Sequence, residues 1–129
     1  MRTLEDQIFS LEYASNTRLF LLLKNPIYYY WSNPNSLTST SVNRANDTIQ
    51  CINYAWNILY KQGDEITRRY FENEYIVAKI KGLLIEMLKM RRKPQQELDP
   101  EISIRKYVKG VKTNLIYFLT KILTFNGNN

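Results

Sequence analysis

Residues 42–63, VNRANDTIQCINYAWNILYKQG, contain the clearest helical pattern of this 129-residue chain. Their apolar side chains recur at alternating spacings of three and four residues, as one face of an α-helix requires. Gly63 follows at a position where helices commonly end. The stretch therefore predicts a helix at about residues 39–62 with one buried stripe. The stripe consists of Val42, Ala45, Ile49, Ile52, Trp56 and Leu59.

Capping and helix-breaking residues predict one helix on each side of this stretch. Thr3 begins a pattern that resembles a capping box, and apolar positions continue at helical spacing until Pro26, which predicts a helix at about 4–24. Asp64 is placed to cap a third helix, at about 65–92, which runs up to a basic cluster followed by a proline.

A fourth helix, at about 100–125, is predicted to begin at Asp99-Pro100-Glu101, because proline at the first helical position loses no hydrogen bond. The composition, 44% hydrophobic and 23% charged, is typical of a packed protein. We therefore expect one all-α domain over residues 1–129, a mostly antiparallel bundle of four to five helices with short connections. The apolar row of the fourth helix keeps heptad spacing and comprises Ile104, Val108, Val111, Leu115, Phe118, Ile122 and Phe125.

The residue types that most enzymes use are scarce in this chain. It contains no histidine, and its single cysteine, Cys51, belongs to no metal-binding motif. The acids at Glu97, Asp99 and Glu101 are explained by a helix start. We therefore expect a protein that is not an enzyme, with no catalytic residues, metal site or cofactor. The apolar stretches fall far short of the roughly 20 residues of a membrane-spanning helix, so we also expect no membrane partner and a cytoplasmic location.

Positive charge is concentrated in the C-terminal part of the chain. Residues 79–129 carry eleven Lys and Arg against four Asp and Glu, whereas residues 1–78 carry seven against eight. Because most surfaces mix both signs, an excess of one sign indicates an anionic partner, and nucleic acid binds such faces through its phosphates. The candidate nucleic-acid-binding residues are Lys89, Arg91, Arg92, Lys93, Arg105, Lys106, Lys109 and Lys112.

Two details of this basic set bear on its interpretation. Arg105, Lys109 and Lys112 have the spacing of one ridge on a continuous helix. The cluster at 91–93 has an alternative explanation, because basic side chains stabilise the C-terminal end of a helix without any partner.

Four consecutive aromatic residues lie in the predicted loop at 25–38. Tyr28, Tyr29, Tyr30 and Trp31 have faces on which single-stranded bases could stack. Packing under the loop or against a neighbouring subunit is the more frequent role of such residues. Both roles remain open.

A small, basic, all-α chain of this kind resembles the small subunit of CRISPR effector complexes, a helical bundle present in several copies. The resemblance rests on size, helix count and charge layout over the whole chain. It implies that the basic residues at 91–93 and 105–112 support RNA or DNA inside an assembly with other protein subunits and copies of this chain. Two alternatives are a coat or filament protein that packages nucleic acid and an adaptor that binds an acidic protein.

Overall fold

The computed structural model describes residues 4–19, 21, 24–25, 44–91 and 93–126, and all regular structure in these ranges is helical. The all-α class predicted from the sequence is therefore confirmed. A π-helical segment extends α2, a second one joins α3 to α4, and a 3₁₀ turn precedes α5. The helices are α1 (Glu5–Ser15), α2 (Arg44–Ala55), α3 (Glu65–Tyr70), α4 (Ile76–Met90) and α5 (Val111–Asn126); the π-helical segments are Trp56–Lys61 and Phe71–Tyr75, and the 3₁₀ turn is Ile104–Tyr107.

The stripe predicted for residues 42–59 forms one half of the hydrophobic core. Its described members from Ala45 to Trp56 are buried, and Leu59 packs at the edge of the core; Val42 lies outside the described residues. The opposite half comes from the second π-helical segment and α4. Its buried side chains are Phe71, Ile76, Ile80, Leu83 and Leu84.

The turn between α2 and α3 follows from two residues identified in the sequence. A Cβ atom on Gly63 would lie 2.1 Å from the carbonyl oxygen of Leu59, so this close approach requires glycine. Asp64 caps α3, since its Oδ1 accepts a hydrogen bond of 2.8 Å from the Thr67 N–H. The segments on the two sides of this turn run antiparallel, as predicted, because Arg68 Nε donates to the Tyr60 carbonyl and, further from the turn on both sides, Trp56 packs on Phe71.

The first helix is shorter than predicted and ends at Ser15 instead of about residue 24. Side chains at its end bond to the carbonyl groups that another helical turn would use: Ser15 Oγ and Asn16 Nδ2 donate to Glu12, and Thr17 Oγ1 donates to Tyr13. Such local hydrogen bonds compete with helix propagation. The capping position is occupied by Leu4, and Thr3 lies outside the described residues.

The fourth predicted helix begins at Val111, eleven residues later than its predicted start at residue 100. Asp99 does not cap a helix there. Its Oδ1 accepts from the Glu101 N–H at 3.0 Å, and its own N–H donates to Oδ1 of Asn53 at 2.8 Å. A tight turn held by α2 therefore replaces the expected first helical turn.

The segment between α4 and α5 runs along α2 in the same direction as that helix. Asn46 Oδ1 accepts hydrogen bonds from the N–H groups of residues 95 and 96, and Asn53 bonds the Glu97 carbonyl and the Asp99 N–H. Further on, Lys61 Nζ lies 3.9 Å from Asp99 Oδ2. Asparagine side chains on α2 thus hold an irregular segment of backbone that carries the chain back to the start of α4.

As a result, α5 runs parallel to α4, whereas short connections predict an antiparallel neighbour. Lys106 Nζ lies 2.9 Å from Glu72 Oε1, and Thr120 Oγ1 lies 3.4 Å from the Leu84 carbonyl oxygen. The two pairs are separated by 34 and 36 residues, and such a nearly constant separation is found only between segments that run the same way.

The face of α5 that packs on α4 is not the predicted apolar row. Thr113, Thr120 and Thr124 are buried. The Thr120 hydroxyl donates to the Ile116 carbonyl and the Thr124 hydroxyl to the Thr120 carbonyl, both at 2.8 Å. The described members of this row within α5 lie on the opposite side, and Val111 is 90% exposed, whereas Ile104 and Val108, which precede α5, pack against the core. The other exposed members of the row are Leu115, Phe118 and Ile122, together with Leu119.

Candidate nucleic-acid interface

The predicted basic residues lie in two groups at opposite ends of α4. Lys89, Arg91 and Lys93 form the first group at its C-terminal end, and Arg92 lies outside the described residues. The second group lies between the 3₁₀ turn and the first turn of α5, near the beginning of α4 because α5 is parallel to it. It comprises Arg105, Lys106, Lys109 and Lys112. At 1.5 Å per residue, α4 separates the two groups by about 20 Å.

The predicted ridge of Arg105, Lys109 and Lys112 on one continuous helix is wrong. Val108 has extended backbone angles and Gly110 has a φ of +83°, so residues 108–110 interrupt the helical path between the 3₁₀ turn that contains Arg105 and α5. All three basic side chains are nevertheless exposed. None of them forms an ion pair with a carboxylate in the described ranges.

Two of the predicted binding residues are engaged by carboxylates of the same chain. Lys106 Nζ contacts Glu72 and lies 5.2 Å from the centre of the Tyr107 ring, and the hydrogen bond to Glu72 raises the pKa of Lys106. Lys89 Nζ lies 3.3 Å from Glu86 Oε1 on the same helix. These two lysines have less charge to offer a phosphate than the unpaired basic residues near them.

The position of Arg91 is compatible with both roles predicted for it, which are binding a nucleic acid and stabilising the C-terminal end of a helix. Its φ of 52° is left-handed, and its N–H closes the end of α4 by donating to the Met87 carbonyl at 2.9 Å. The exposed guanidinium lies where the helix dipole is negative, which favours a cation with or without a nucleic acid. Lys93 is exposed close by.

The aromatic residues proposed for base stacking, Tyr28, Tyr29, Tyr30 and Trp31, lie outside the described residues. A different aromatic cluster joins the two π-helical segments. Trp56 stacks on Tyr60 with ring centres 4.0 Å apart, and both pack against Phe71, which stacks on Tyr75. Burial raises the pKa of Tyr75 to about 12. The sequence placed Trp56 in the core correctly but gave no sign of the π-helical geometry around it.

Lys79, part of the basic C-terminal segment, is half-buried. It lines a cavity of about 320 Å³ between α1 and α4, where its Nζ donates to Gln7 Oε1 and lies 5.7 Å from the centre of the Tyr75 ring. Burial lowers the pKa of Lys79. The same crevice adjoins Cys51. The Cys51 thiol donates to the Leu4 carbonyl at 3.6 Å, and burial raises the pKa of this thiol.

The described ranges contain no cluster of three or more His, Cys, Asp or Glu residues able to hold a metal ion. None of the helices in these ranges is long and apolar enough to cross a membrane. Comparison with protein-family models, curated proteins and solved structures gave no match. The function is therefore inferred from the exposed charges and faces themselves.

Proposed function

We propose that this chain is a noncatalytic nucleic-acid-binding subunit of a larger assembly, which holds a phosphate backbone through exposed lysine and arginine side chains. One observation carries the proposal: residues 104–126 contain five basic residues and no acidic residue. Within that segment Arg105, Lys109 and Lys112 are exposed and without an ion pair to any described carboxylate. Unpaired charges of one sign favour a partner of the opposite sign.

The separation of the two basic groups fits a polyanion better than a small anion. One strand of a duplex carries a phosphate about every 3.4 Å along the axis, so groups about 20 Å apart would span about six phosphates of that strand. Arg91 and Lys93 would contact one end of this length, and Arg105 and Lys109 the other. Contacts of this kind fix position and carry no sequence information.

The small subunit of a CRISPR effector complex is the assembly component that we favour, on the resemblance of size, helical content and charge. RNA and DNA are both compatible with contacts to phosphate alone. The cytoplasmic location expected from the sequence belongs to the same proposal.

The proposal is tested by fluorescence anisotropy of labelled single-stranded RNA, single-stranded DNA and duplex DNA at several salt concentrations. The variant Arg105→Glu/Lys109→Glu removes two phosphate contacts, so the slope of log K against log salt should become shallower by about 1.4 to 1.8. The control Lys24→Glu/Lys81→Glu changes the net charge equally at exposed lysines outside the two groups, and its slope should change less. Equal slopes in the two variants would contradict the assignment of this surface.

The exposed apolar row of α5 supports a second function, a coat or filament protein that packages nucleic acid. Such a protein needs faces that bind other copies of itself in addition to a basic surface. If none of the three nucleic acids binds at low salt, the adaptor for an acidic protein becomes the better explanation of the basic residues.

A further inference from the structure

The outer face of α5, defined as Val111, Leu115, Phe118, Leu119 and Ile122, is an apolar surface with a basic rim. Val111 is 90% exposed and Phe118 is 59% exposed. At 100° per residue, Lys112 lies about 80° to one side of the centre of this face and Lys121 about 100° to the other. Both lysines are exposed. Apolar residues at spacings of three and four with charged neighbours are typical of a helix that packs against another helix.

The outer face of α1, defined as Glu5, Asp6, Phe9 and Tyr13, has the complementary character. Phe9 and Tyr13 are 68% and 62% exposed, and their rings stack with centres 6.2 Å apart. Glu5 and Asp6 lie about 60° and 40° from the centre of the aromatic pair, on its two sides. Both carboxylates are exposed. This face therefore combines apolar surface with an acidic rim.

The two outer faces belong to helices that are held by different parts of the fold. Among the described residues, α1 packs on α2 and the first π-helical segment, whereas α5 packs on α4. A contact between α1 of one copy and α5 of another joins two different surfaces. Such a heterologous contact leaves one free face of each kind on every pair, so it can repeat and add further copies.

We propose that copies of this chain associate head to tail, with the outer face of α1 in one copy packed on the outer face of α5 in the next. Charge complementarity selects this arrangement over a pairing of two α5 helices. An α5 pair would bring only basic side chains to the rim of the contact, because residues 104–126 contain no acid to offset Lys112 and Lys121. In the head-to-tail contact, the basic rim of α5 faces the acidic rim of α1, which carries Glu5 and Asp6. This association does not depend on nucleic-acid binding.

Sedimentation velocity without nucleic acid, over a wide range of protein concentration and at low and high salt, tests the proposal. The wild-type chain should form species larger than dimers at high concentration, and salt should weaken the association. Glu5→Lys/Asp6→Lys and Lys112→Glu/Lys121→Glu should each weaken it about tenfold or more, because both faces then carry the same sign. The control Lys24→Glu/Lys81→Glu, with the same charge change as the α5 variant, should associate like the wild type.

A mixture of the two charge-reversed variants provides the decisive comparison. One variant has two basic faces and the other has two acidic faces, so alternating copies restore opposite charges at every contact. The mixture should therefore form large species although each variant alone does not. Association that survives Glu5→Lys/Asp6→Lys would show that α1 is not involved and would overturn the proposal. A wild-type chain that stays monomeric at every concentration would overturn it as well, whatever its affinity for nucleic acid.

Discussion

Replacing Gly63 by alanine tests the turn that sets the antiparallel arrangement of α2 and α3. The new Cβ atom would lie 2.1 Å from the Leu59 carbonyl oxygen and 3.0 Å from Thr67 Cγ2, whereas ordinary contact begins near 3.4 Å. The carbonyl group belongs to the backbone and cannot rotate away as a flexible side chain could. The turn would have to open by about 1 Å, and overpacking of this kind costs about 1–3 kcal/mol.

Gly82 supplies a matched control, because the same substitution there should have the opposite sign. A Cβ atom on Gly82 would have no neighbour within 4 Å, and the residue lies in the interior of α4 on its exposed side. Alanine is more favourable than glycine in a helix interior by about 0.8–1.0 kcal/mol. The two variants should therefore differ in unfolding free energy by about 2–4 kcal/mol.

Urea unfolding followed by far-ultraviolet circular dichroism measures both variants. Gly63→Ala should unfold at a lower urea concentration than the wild type and Gly82→Ala at a higher one, with unchanged slopes of the free energy against urea. In melting temperature, each 1 kcal/mol corresponds to about 3–5 °C for a chain of this size. A Gly63→Ala variant as stable as the wild type would refute the close approach to Leu59 and the turn geometry built on it.

Two further predictions concern α2. Asn53→Ala should destabilise the fold by about 1–3 kcal/mol in urea unfolding, since the Glu97 carbonyl and the Asp99 N–H lose their hydrogen-bond partner. The control Asn57→Ala removes only an exposed hydrogen bond to the Asn53 carbonyl and should destabilise the fold less. Equal losses of stability in the two variants would contradict this role of Asn53. Cys51 is buried, and burial raises the pKa of its thiol. The thiol should therefore react with a thiol reagent far more slowly than a small-molecule thiol does at pH 8, and it should react rapidly once urea unfolds the chain. Fast labelling of the folded chain would show that the crevice between α1 and α4 is open at Cys51.

The features that the sequence predicted correctly depend on neighbours along the chain. The buried stripe from Ala45 to Trp56, the stop at Gly63 and the cap at Asp64 each involve residues within about one or two helical turns. Local hydrogen bonds and helical spacing determine such features.

The sequence-based predictions fail where a residue distant in the chain binds the backbone groups that a local pattern would use. Asp99 and Pro100 have the residue types of a helix start, but Asn53 holds the Asp99 N–H and the chain turns instead. No pattern within residues 99–101 reveals a partner that lies 46 positions earlier. The predicted fourth helix therefore began too early.

The orientation of α5 shows a second limit of periodicity. The spacing of Val111, Leu115 and Phe118 predicts an apolar stripe but not the side on which the core lies. Threonine can occupy a buried helix face because its hydroxyl bonds a carbonyl of the preceding turn, as that of Thr120 does with Ile116. The core consequently takes the threonine face, and the apolar stripe remains outside.

The composition of the sequence predicted which basic residues form the candidate site, and the direction of α5 determines how these residues are grouped. The sequence identified exposed basic residues correctly in Arg105, Lys109 and Lys112, but it did not reveal that α4 separates them from Arg91 and Lys93. The direction of α5 decides that grouping, and it follows from the asparagine contacts that guide the preceding segment along α2. The ion pair between Lys106 and Glu72 could not be predicted for the same reason.

Lys112 is the residue on which the two proposals meet. In a head-to-tail assembly it would face Glu5 and Asp6 of the neighbouring copy, so its charge would be neutralised before nucleic acid binds. The basic surface left on each copy would then be Arg105 and Lys109 at one end of α4, with Arg91 and Lys93 at the other. Repetition of that surface along a row of copies would give many weak phosphate contacts on one long nucleic acid, and linked contacts bind far more tightly than one alone. For this reason the nucleic-acid variant changes Arg105 and Lys109 and leaves Lys112 intact, so that loss of binding and loss of assembly remain separate results.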